Sequence, residues 1–139
     1  MSDKKYSDLL AAARRAEAEG QEKISAEERP GFHLTPAVGW MNDPNGLCNF
    51  NGHYRVFYQY NSQWPDASQK AWGELVSDDL LSWEYMGMPL EPRLPQDRHG
   101  VYSGSSVVVG DLLRVYYTGN VINKANGHNP KDVSFLYDS

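Results

Sequence analysis

One short segment, residues 39–46 with the sequence GWMNDPNG, combines residue types that could perform chemistry. Its Asn, Asp, Pro and Gly residues are turn formers, so a tight loop before a strand is one interpretation. Pro44 holds the preceding residue in an extended conformation, which limits where the Asp43 carboxylate can point. A carboxylate fixed at a strand entrance beside the aromatic Trp40 also suits catalysis or sugar binding. The residues alone support the turn and the functional interpretation equally.

The composition is that of an ordinary soluble domain, with 139 residues of which 22% are charged and 40% hydrophobic. The net charge of -5 argues against nucleic acid as a partner, because phosphates demand a basic surface. Nine Tyr and four Trp suit a sugar-binding surface, although β-rich cores use the same residues. The single cysteine, Cys48, excludes an internal disulfide and fits a reducing compartment. With no run of signal-peptide or membrane-span length, we expect a cytoplasmic protein without a membrane partner.

The first 30 residues differ in composition from the rest and predict a helical leader. Residues 4–28 are rich in Ala, Glu, Lys and Arg, and the apolar residues at helical spacing are Leu9, Ala12, Ala13 and Ala16. They predict a helix from about residue 7 to a break at Gly20, while Ser25 and Glu28 have the spacing of a capping box. Because the apolar stripe is thin, we expect a solvated helix packed on one side of the domain rather than a membrane or partner helix.

After Pro30 the pattern predicts antiparallel strands. Residues 47–60 read as a hairpin around Asn51-Gly52, a dipeptide that favours a type I′ turn. Strands over 71–77 and 82–87 complete a four-stranded meander, which is expected to end at the prolines that follow, Pro89, Pro92 and Pro95. A second meander is predicted over 104–109, 112–118 and 132–137. Repeated units of this kind suggest propeller blades, although spacing alone also fits a barrel or a sandwich.

Residues 40–46, WMNDPNG, resemble the signature of glycoside hydrolase family 32, which contains invertases, inulinases and sucrose-6-phosphate hydrolases. Further segments resemble that family's later motifs in the same order: FYQYN at 57–61, AWG at 71–73 with VSDDL at 76–80, YSGS at 102–105 and YYTGN at 116–120. Several motifs in the right order make a specific signal. The resemblance runs from about residue 33 to residue 120 and leaves the leader uncovered.

The resemblance implies an all-β fold, the first blades of a five-bladed β-propeller preceded by a short N-terminal helix. Residues 1–30 would be the leader, and residues 31–139 about two blades of the catalytic domain. The resemblance also implies hydrolysis of terminal β-fructofuranosides such as sucrose with retention, in which one carboxylate attacks the anomeric carbon and a second acts as acid and then as base. Asp43 falls on the family's nucleophile.

The same resemblance assigns sugar-binding roles to several neighbours. Asn42 and Gln59 would hydrogen-bond fructose hydroxyls, since an amide both donates and accepts, although Gln59 could instead be a solvated strand residue. Trp72 would wall the pocket or pack beneath it. Ser103 would contact the sugar through its hydroxyl, or only end a strand, and Tyr102 beside it would line the site.

Two positions depart from the family's pattern at the pocket wall. Trp64 lies closer to the second motif than the pocket tryptophan of typical relatives. It has either lost that role or reaches the substrate site through a reshaped loop, and we assign it to the substrate site. Glu74 stands where many relatives carry histidine after Trp-Gly. Both departures concern substrate preference rather than the chemistry.

Two carboxylates that the family needs do not occur in this sequence. One is the aspartate of an Arg-Asp-Pro motif, which orients fructose, and the other is a glutamate, usually followed by Cys, that serves as the acid/base. Asp97 precedes Arg98 in the wrong order, and Cys48 follows Leu47. Because the family's order places both motifs later, the sequence reads as a truncated N-terminal part. We expect the isolated chain to be poorly active or inactive, and to be unstable or to aggregate through open strand edges.

Three functional hypotheses stay open at this point. The chain is part of a β-fructofuranosidase, a non-catalytic sucrose- or fructan-binding remnant, or part of a fructosyltransferase that shares these motifs. The four histidines lack paired ligand spacing, and no phosphate loop or dinucleotide fingerprint occurs, so no metal or cofactor is expected. The expected partner is a small or oligosaccharide substrate, either sucrose, sucrose 6-phosphate or a fructan.

Overall fold

The chain folds into an N-terminal helix followed by two antiparallel sheets. The computed structural model describes residues 3–63, 70–121 and 134–138, with side chains over 7–63 and 70–121. Within these ranges the elements are α1 (Asp3–Gln21), a 3-10 turn (Ala26–Glu28), β1 (Trp40–Phe50), β2 (His53–Asn61), β3 (Ala71–Ser77), β4 (Glu84–Leu90), β5 (Val101–Val109), β6 (Leu112–Gly119) and β7 (Ser134–Asp138). The first sheet has the order β1-β2-β3-β4 and the second the order β5-β6-β7. The prediction of an all-β fold with a short N-terminal helix is confirmed.

The turn between β1 and β2 is the hairpin turn that the sequence predicts. Asn51 has φ 54° and Gly52 has φ 85°, and positive φ at both central residues is what a type I′ turn requires. Phe50 pairs with His53 directly beside the turn, so the hairpin closes without a longer loop. β3 also has its predicted bounds, whereas β1 begins at Trp40 rather than at residue 47.

The fourth strand begins at residue 84 rather than 82 and ends at residue 90 rather than 87, which corrects the expectation that Pro89 ends the sheet. β4 continues to Leu90, and Leu90 pairs with Trp72 of β3. The strand lies at the edge of the first sheet, so one of its sides needs no ladder partner. A proline without an N–H is tolerated at such an edge.

The second sheet starts earlier and ends later than its sequence predicts. β5 begins at Val101 rather than at residue 104, and β7 ends at Asp138 rather than at residue 137. Positions 132 and 133 of the predicted last strand lie outside the described residues. β1 and β5, the first strands of the two sheets, lie side by side, so residues far apart in sequence become neighbours there.

β2 is covered on both faces, as the bulky residues along it predict. Every residue from Val56 to Asn61 is buried. On one face Phe57 joins a core cluster between the two sheets whose other members are Trp72, Leu90, Val101, Leu113, Val115 and Tyr117. On the other face Tyr58 and Tyr60 pack with Leu75. Burying a side chain of this size contributes roughly 1.5–3 kcal/mol relative to exposing it, so this strand anchors the fold.

The helix α1 packs against the first sheet through polar contacts. Ser62 donates a hydrogen bond of 2.8 Å from its hydroxyl to the carbonyl oxygen of Ala13. The hydroxyls of Tyr60 and Tyr85 both donate to the carboxylate of Glu17. No helix in the described ranges is long and apolar enough to cross a membrane.

Two further contacts fix the leader. The backbone N–H of Ser25 donates to the Glu28 carboxylate over 2.8 Å, as the capping-box spacing predicts, and this hydrogen bond lowers the pKa of Glu28. Arg14 pairs with the buried Glu91 over 2.5 Å, and Arg93 shares the same carboxylate oxygen. The leader is therefore joined to the segment that connects the two sheets.

Candidate active site

Asp43 lies at a β-bulge in β1. The pairing register shifts between Met41 and Pro44, so two residues of β1, Asn42 and Asp43, lie opposite a single residue of β2. A bulge bends its strand and re-aims side chains, which is why bulges are common at functional sites. The side chains of Asn42 and Asp43 are both exposed. The Asp43 carboxylate is thus on a strand and accessible to a substrate.

Ser103 lies at a second bulge, in β5. The register shifts between Tyr102 and Gly104, so Ser103 has no partner residue in β6. Its hydroxyl donates a hydrogen bond of 2.6 Å to Oδ2 of Asp43. A hydrogen bond to a carboxylate is short and charge-assisted, so it restricts the orientation of the carboxylate. The sequence predicts a sugar contact for Ser103 and gives no sign of this one.

Gln59 and Trp72 lie beneath the site rather than on its surface. Gln59 is 3% exposed and donates from Nε2 to the carbonyl oxygen of Val101 over 3.0 Å, so its interpretation as a solvated strand residue is wrong. Trp72 is 0% exposed and donates from Nε1 to the carbonyl oxygen of Tyr102 over 3.2 Å. Of the two interpretations of Trp72, packing beneath the pocket is therefore the one that its burial supports.

Aromatic rings and one cation lie beside Asp43 and Ser103 on β1 and β5. The Lys70 ammonium lies 5.2 Å from the ring centroid of Trp40 and 5.1 Å from that of Tyr102, within the range of cation–π attraction. Tyr102 is half-buried, so part of its surface faces outward as its predicted role requires. The sequence gives no signal for Lys70, because its ring partners are distant along the chain. Trp64, also assigned to the substrate site, lies outside the described residues.

Side-chain hydrogen bonds join β1 to β5 around the carboxylate. Asn45 donates from Nδ2 to the carbonyl oxygen of Asp43 and accepts at Oδ1 from the N–H of Gly104, each over 3.0 Å. Ser106 donates from its hydroxyl to the carbonyl oxygen of Gly46 over 2.9 Å. Sequence reasoning missed Asn45, although it lies within the matched motif.

The buried carboxylates of the described residues have partners of their own. Glu74 pairs with Arg55, and Glu91 pairs with Arg14. Asp97 is 1% exposed and accepts a hydrogen bond of 2.8 Å from the hydroxyl of Tyr117. Among the described residues, no group of three His, Cys, Asp or Glu side chains is placed to hold a metal ion. The candidate for chemistry among the residues assigned to the site is therefore the accessible Asp43 carboxylate, which Ser103 orients.

Comparison with solved structures defines the class of protein. The Bombyx mori GH32 beta-fructofuranosidase has a TM-score of 0.75 and 32% identity, over 94% of this chain and 28% of that chain. The Lactobacillus gasseri sucrose-6-phosphate hydrolase has a TM-score of 0.71 and 28% identity, over 90% of this chain and 25% of that chain. These relatives are five-bladed β-propeller enzymes, and this chain forms the N-terminal part of such a propeller.

Sequence comparison then gives the family. The model of the glycosyl hydrolases family 32 N-terminal domain matches residues 33–138. A sucrose-6-phosphate hydrolase from Zymomonas mobilis is 40% identical over 122 residues, 88% of this chain and 24% of the relative. A raffinose invertase from Escherichia coli is 39% identical over 112 residues, 78% of this chain and 24% of the relative. The chain belongs to glycoside hydrolase family 32, and it spans about a quarter of the length of these relatives.

Proposed function

We propose that this chain supplies the nucleophile side of the active site of a retaining β-fructofuranosidase. The observation that carries the proposal is the accessible Asp43 carboxylate, held at a bulge by the Ser103 hydroxyl at 2.6 Å. A nucleophile must approach the anomeric carbon in one geometry, and a carboxylate fixed on a strand meets that need better than one on a free loop.

In the proposed reaction a carboxylate oxygen of Asp43 attacks the anomeric carbon of the terminal fructosyl unit. The bond from that carbon to the glycosidic oxygen breaks, and a general acid outside this chain protonates the departing sugar. Water then attacks the fructosyl ester, the same acid group now acts as base, and the Asp43 carboxylate is released. Two displacements at one carbon give net retention.

The substrate class is a terminal β-fructofuranoside, namely sucrose, sucrose 6-phosphate or a short fructan. Support comes from relatives whose names describe hydrolysis of sucrose 6-phosphate and raffinose invertase activity. A Bombyx mori relative is also known in complex with sucrose. Contacts of the exposed Asn42, of Tyr102 and Ser103, and of Trp64 with the sugar belong to this proposal. Gln59 and Trp72 would not contact the sugar but would fix the position of β5 through hydrogen bonds to its backbone.

We further propose that the 139-residue chain is inactive by itself. Neither an Arg-Asp-Pro nor a Glu-Cys sequence occurs in it, so the acid/base and the sugar-orienting aspartate would have to come from elsewhere. Positioned acid/base groups typically contribute ~10²–10⁴-fold to a rate. The division into a leader over 1–30 and a propeller part over 31–139, and a cytoplasmic location, likewise stay predictions.

The test uses the longest natural polypeptide that carries this sequence, called the parent protein below. Fructose release from sucrose is measured for the parent protein, for its Asp43→Asn variant and for the 139-residue chain. The proposal expects activity in the parent protein alone, and a fructosyl adduct on the peptide containing Asp43 after acid quenching. An Asp43→Asn variant as active as the parent protein would refute the proposed nucleophile. Activity of the 139-residue chain would refute its proposed inactivity.

A further inference from the structure

The backbone around Asp43 receives little support from the β-ladder. The β1–β2 register shifts between Met41 and Pro44, and it shifts again between Asn45 and Cys48. Pro44 has no N–H to donate to a ladder. Asp43 therefore lies within the first of two closely spaced irregularities, and another contact has to fix its position.

Asn45 makes that contact through both ends of one amide. Its Nδ2 donates to the carbonyl oxygen of Asp43 and its Oδ1 accepts from the N–H of Gly104, each over 3.0 Å. The side chain is 2% exposed, so a substrate cannot reach it. Gly104 directly follows Ser103, the residue that orients the Asp43 carboxylate. The two ends of the Asn45 amide therefore connect β1 to β5 beside this contact.

We infer that Asn45 is a positioning residue for the nucleophile, a role that rests on the proposed function. It replaces the missing ladder contacts on both strands and sets the distance between the backbones of Asp43 and Ser103. Only a side chain with a donor and an acceptor on one rigid group can make both bonds, which is the property of an amide. An aspartate keeps the acceptor and loses the donor, and an alanine loses both.

A small displacement is expected to matter because Asp43 and Ser103 lie on different sheets. The hydrogen bond from Ser103 to Asp43 is 2.6 Å long, so a separation of the two strands by about 1 Å would take it beyond hydrogen-bonding distance. Misplacement by about 1 Å at a reacting group can cost about 10²-fold in rate. Removal of the Asn45 amide should therefore reduce kcat while leaving KM almost unchanged, because the residue does not touch the sugar.

The experiment compares Asn45→Ala and Asn45→Asp in the parent protein, with Ser77→Ala as the control. Ser77 is a buried polar residue of the same sheet whose hydroxyl serves the turn after β3, through hydrogen bonds to Asp79 and Leu80. Both kcat and KM are measured with sucrose, and amide hydrogen exchange is followed at Gly104. We expect Asn45→Ala to lower kcat about 30- to 100-fold with KM changed less than about threefold, and to speed exchange at Gly104. Asn45→Asp should restore slow exchange at Gly104 without restoring kcat, and Ser77→Ala should change neither.

Three outcomes would overturn the inference. The first is a kcat for both Asn45 variants within about threefold of the parent protein. The second is a loss that appears in KM instead of kcat, which would make Asn45 a binding residue. The third is unchanged exchange at Gly104 in Asn45→Ala, which is decisive even in an inactive protein. If the parent protein were inactive, that result would count against the proposed function. Faster exchange at Gly104 in Asn45→Ala would still show that the Asn45 amide joins the two strands.

Discussion

The hydroxyl of Ser103 donates a hydrogen bond of 2.6 Å to Oδ2 of Asp43, although the two residues are 60 positions apart and belong to different sheets. Each residue lies at a β-bulge, and each bulge turns a side chain out of its strand toward the other. Two bulges in the neighbouring strands β1 and β5 thus orient the carboxylate.

Ser103→Ala should lower kcat by roughly tenfold in the parent protein. A hydrogen bond to a charged group contributes about 1.5–3 kcal/mol, and part of this contribution keeps the carboxylate in the orientation for attack. The measurement is steady-state kinetics with sucrose, in which kcat and KM are separated. Ser105→Ala is the matched control, since Ser105 is an exposed serine of the same strand. Equal kcat values for the two variants would show that the bond to Asp43 has no role in the reaction.

The stability of the protein should fall at alkaline pH because of its buried tyrosines. Burial raises the pKa of Tyr60 and Tyr85, and the negative charge of Glu17 raises both further. A tyrosine whose pKa is raised by folding contributes stability that is complete below its unfolded pKa of about 10 and is lost as pH rises above that value. The free energy of unfolding, measured with urea, should be flat from about pH 7 to about pH 9 and should then decline.

Tyr85→Phe provides the comparison for this pH dependence. Removing one hydroxyl removes one group that must ionise on alkaline unfolding, so the decline above about pH 10 should be shallower. Tyr54→Phe is the control, because Tyr54 is 37% exposed. A decline of unchanged slope in Tyr85→Phe would assign the alkaline loss to other groups.

The elements that could be predicted from the sequence are those with local signals. Asn51-Gly52 encodes its turn through the φ values that the two residues adopt most readily, and β3 is predicted with its observed bounds from its own residues. Pro89 misled the prediction of β4, because a proline is tolerated in an edge strand and the edge is a property of the whole sheet.

The sequence predicts which motif forms the candidate site, but it does not predict the hydrogen bonds around the Asp43 carboxylate. Asp43 stands out within a short run of unusual residues, whereas the bonds from Ser103 and Asn45 depend on β1 and β5 lying side by side. The sequence predicts Gln59 and Trp72 at the sugar, or Trp72 beneath the pocket. Both are buried and donate hydrogen bonds to the backbone of β5. These contacts could not be predicted locally, because Val101 and Tyr102 are 42 and 30 positions away from the side chains that reach them.

Asp97 should be among the most sensitive positions for stability. Its carboxylate is 1% exposed and accepts hydrogen bonds from the backbone N–H groups of Arg93 and Leu94 and from the hydroxyl of Tyr117. Loss of a buried charged acceptor leaves these donors unpaired, so Asp97→Ala should lower the free energy of unfolding by about 2–4 kcal/mol. Urea denaturation measures this change, with the exposed turn residue Asp111→Ala as the control. Similar values for the two variants would contradict the proposed importance of the buried carboxylate.

The 139-residue chain should self-associate through the exposed apolar face of β5 and β6. Val107, Val109, Leu112 and Tyr116 are each 38–46% exposed, and cross-strand pairing places them on one face of β5 and β6. Arg114 lies on the same face opposite Val107, but the rest of these residues are apolar, and exposed apolar surface promotes association. Sedimentation should show oligomers for the chain and a shift toward monomer for Val109→Lys. Leu81→Lys, on an exposed turn of the first sheet, should not produce that shift if this face is responsible.

Gly104→Ala should be the most damaging single methyl addition near the site. A Cβ at this position would lie 1.8 Å from the carbonyl oxygen of Tyr116 and 2.7 Å from Cα of Tyr117, and both contacts are to backbone. β5 and β6 would have to separate at the bulge that carries Ser103, so we expect a loss of about 3 kcal/mol or more in the free energy of unfolding. Gly31→Ala is the matched control, because a Cβ there meets nothing within 4 Å. If Gly104→Ala were as stable as Gly31→Ala, the close approach of the two strands at the bulge would be wrong, and with it the geometry that brings Ser103 to Asp43.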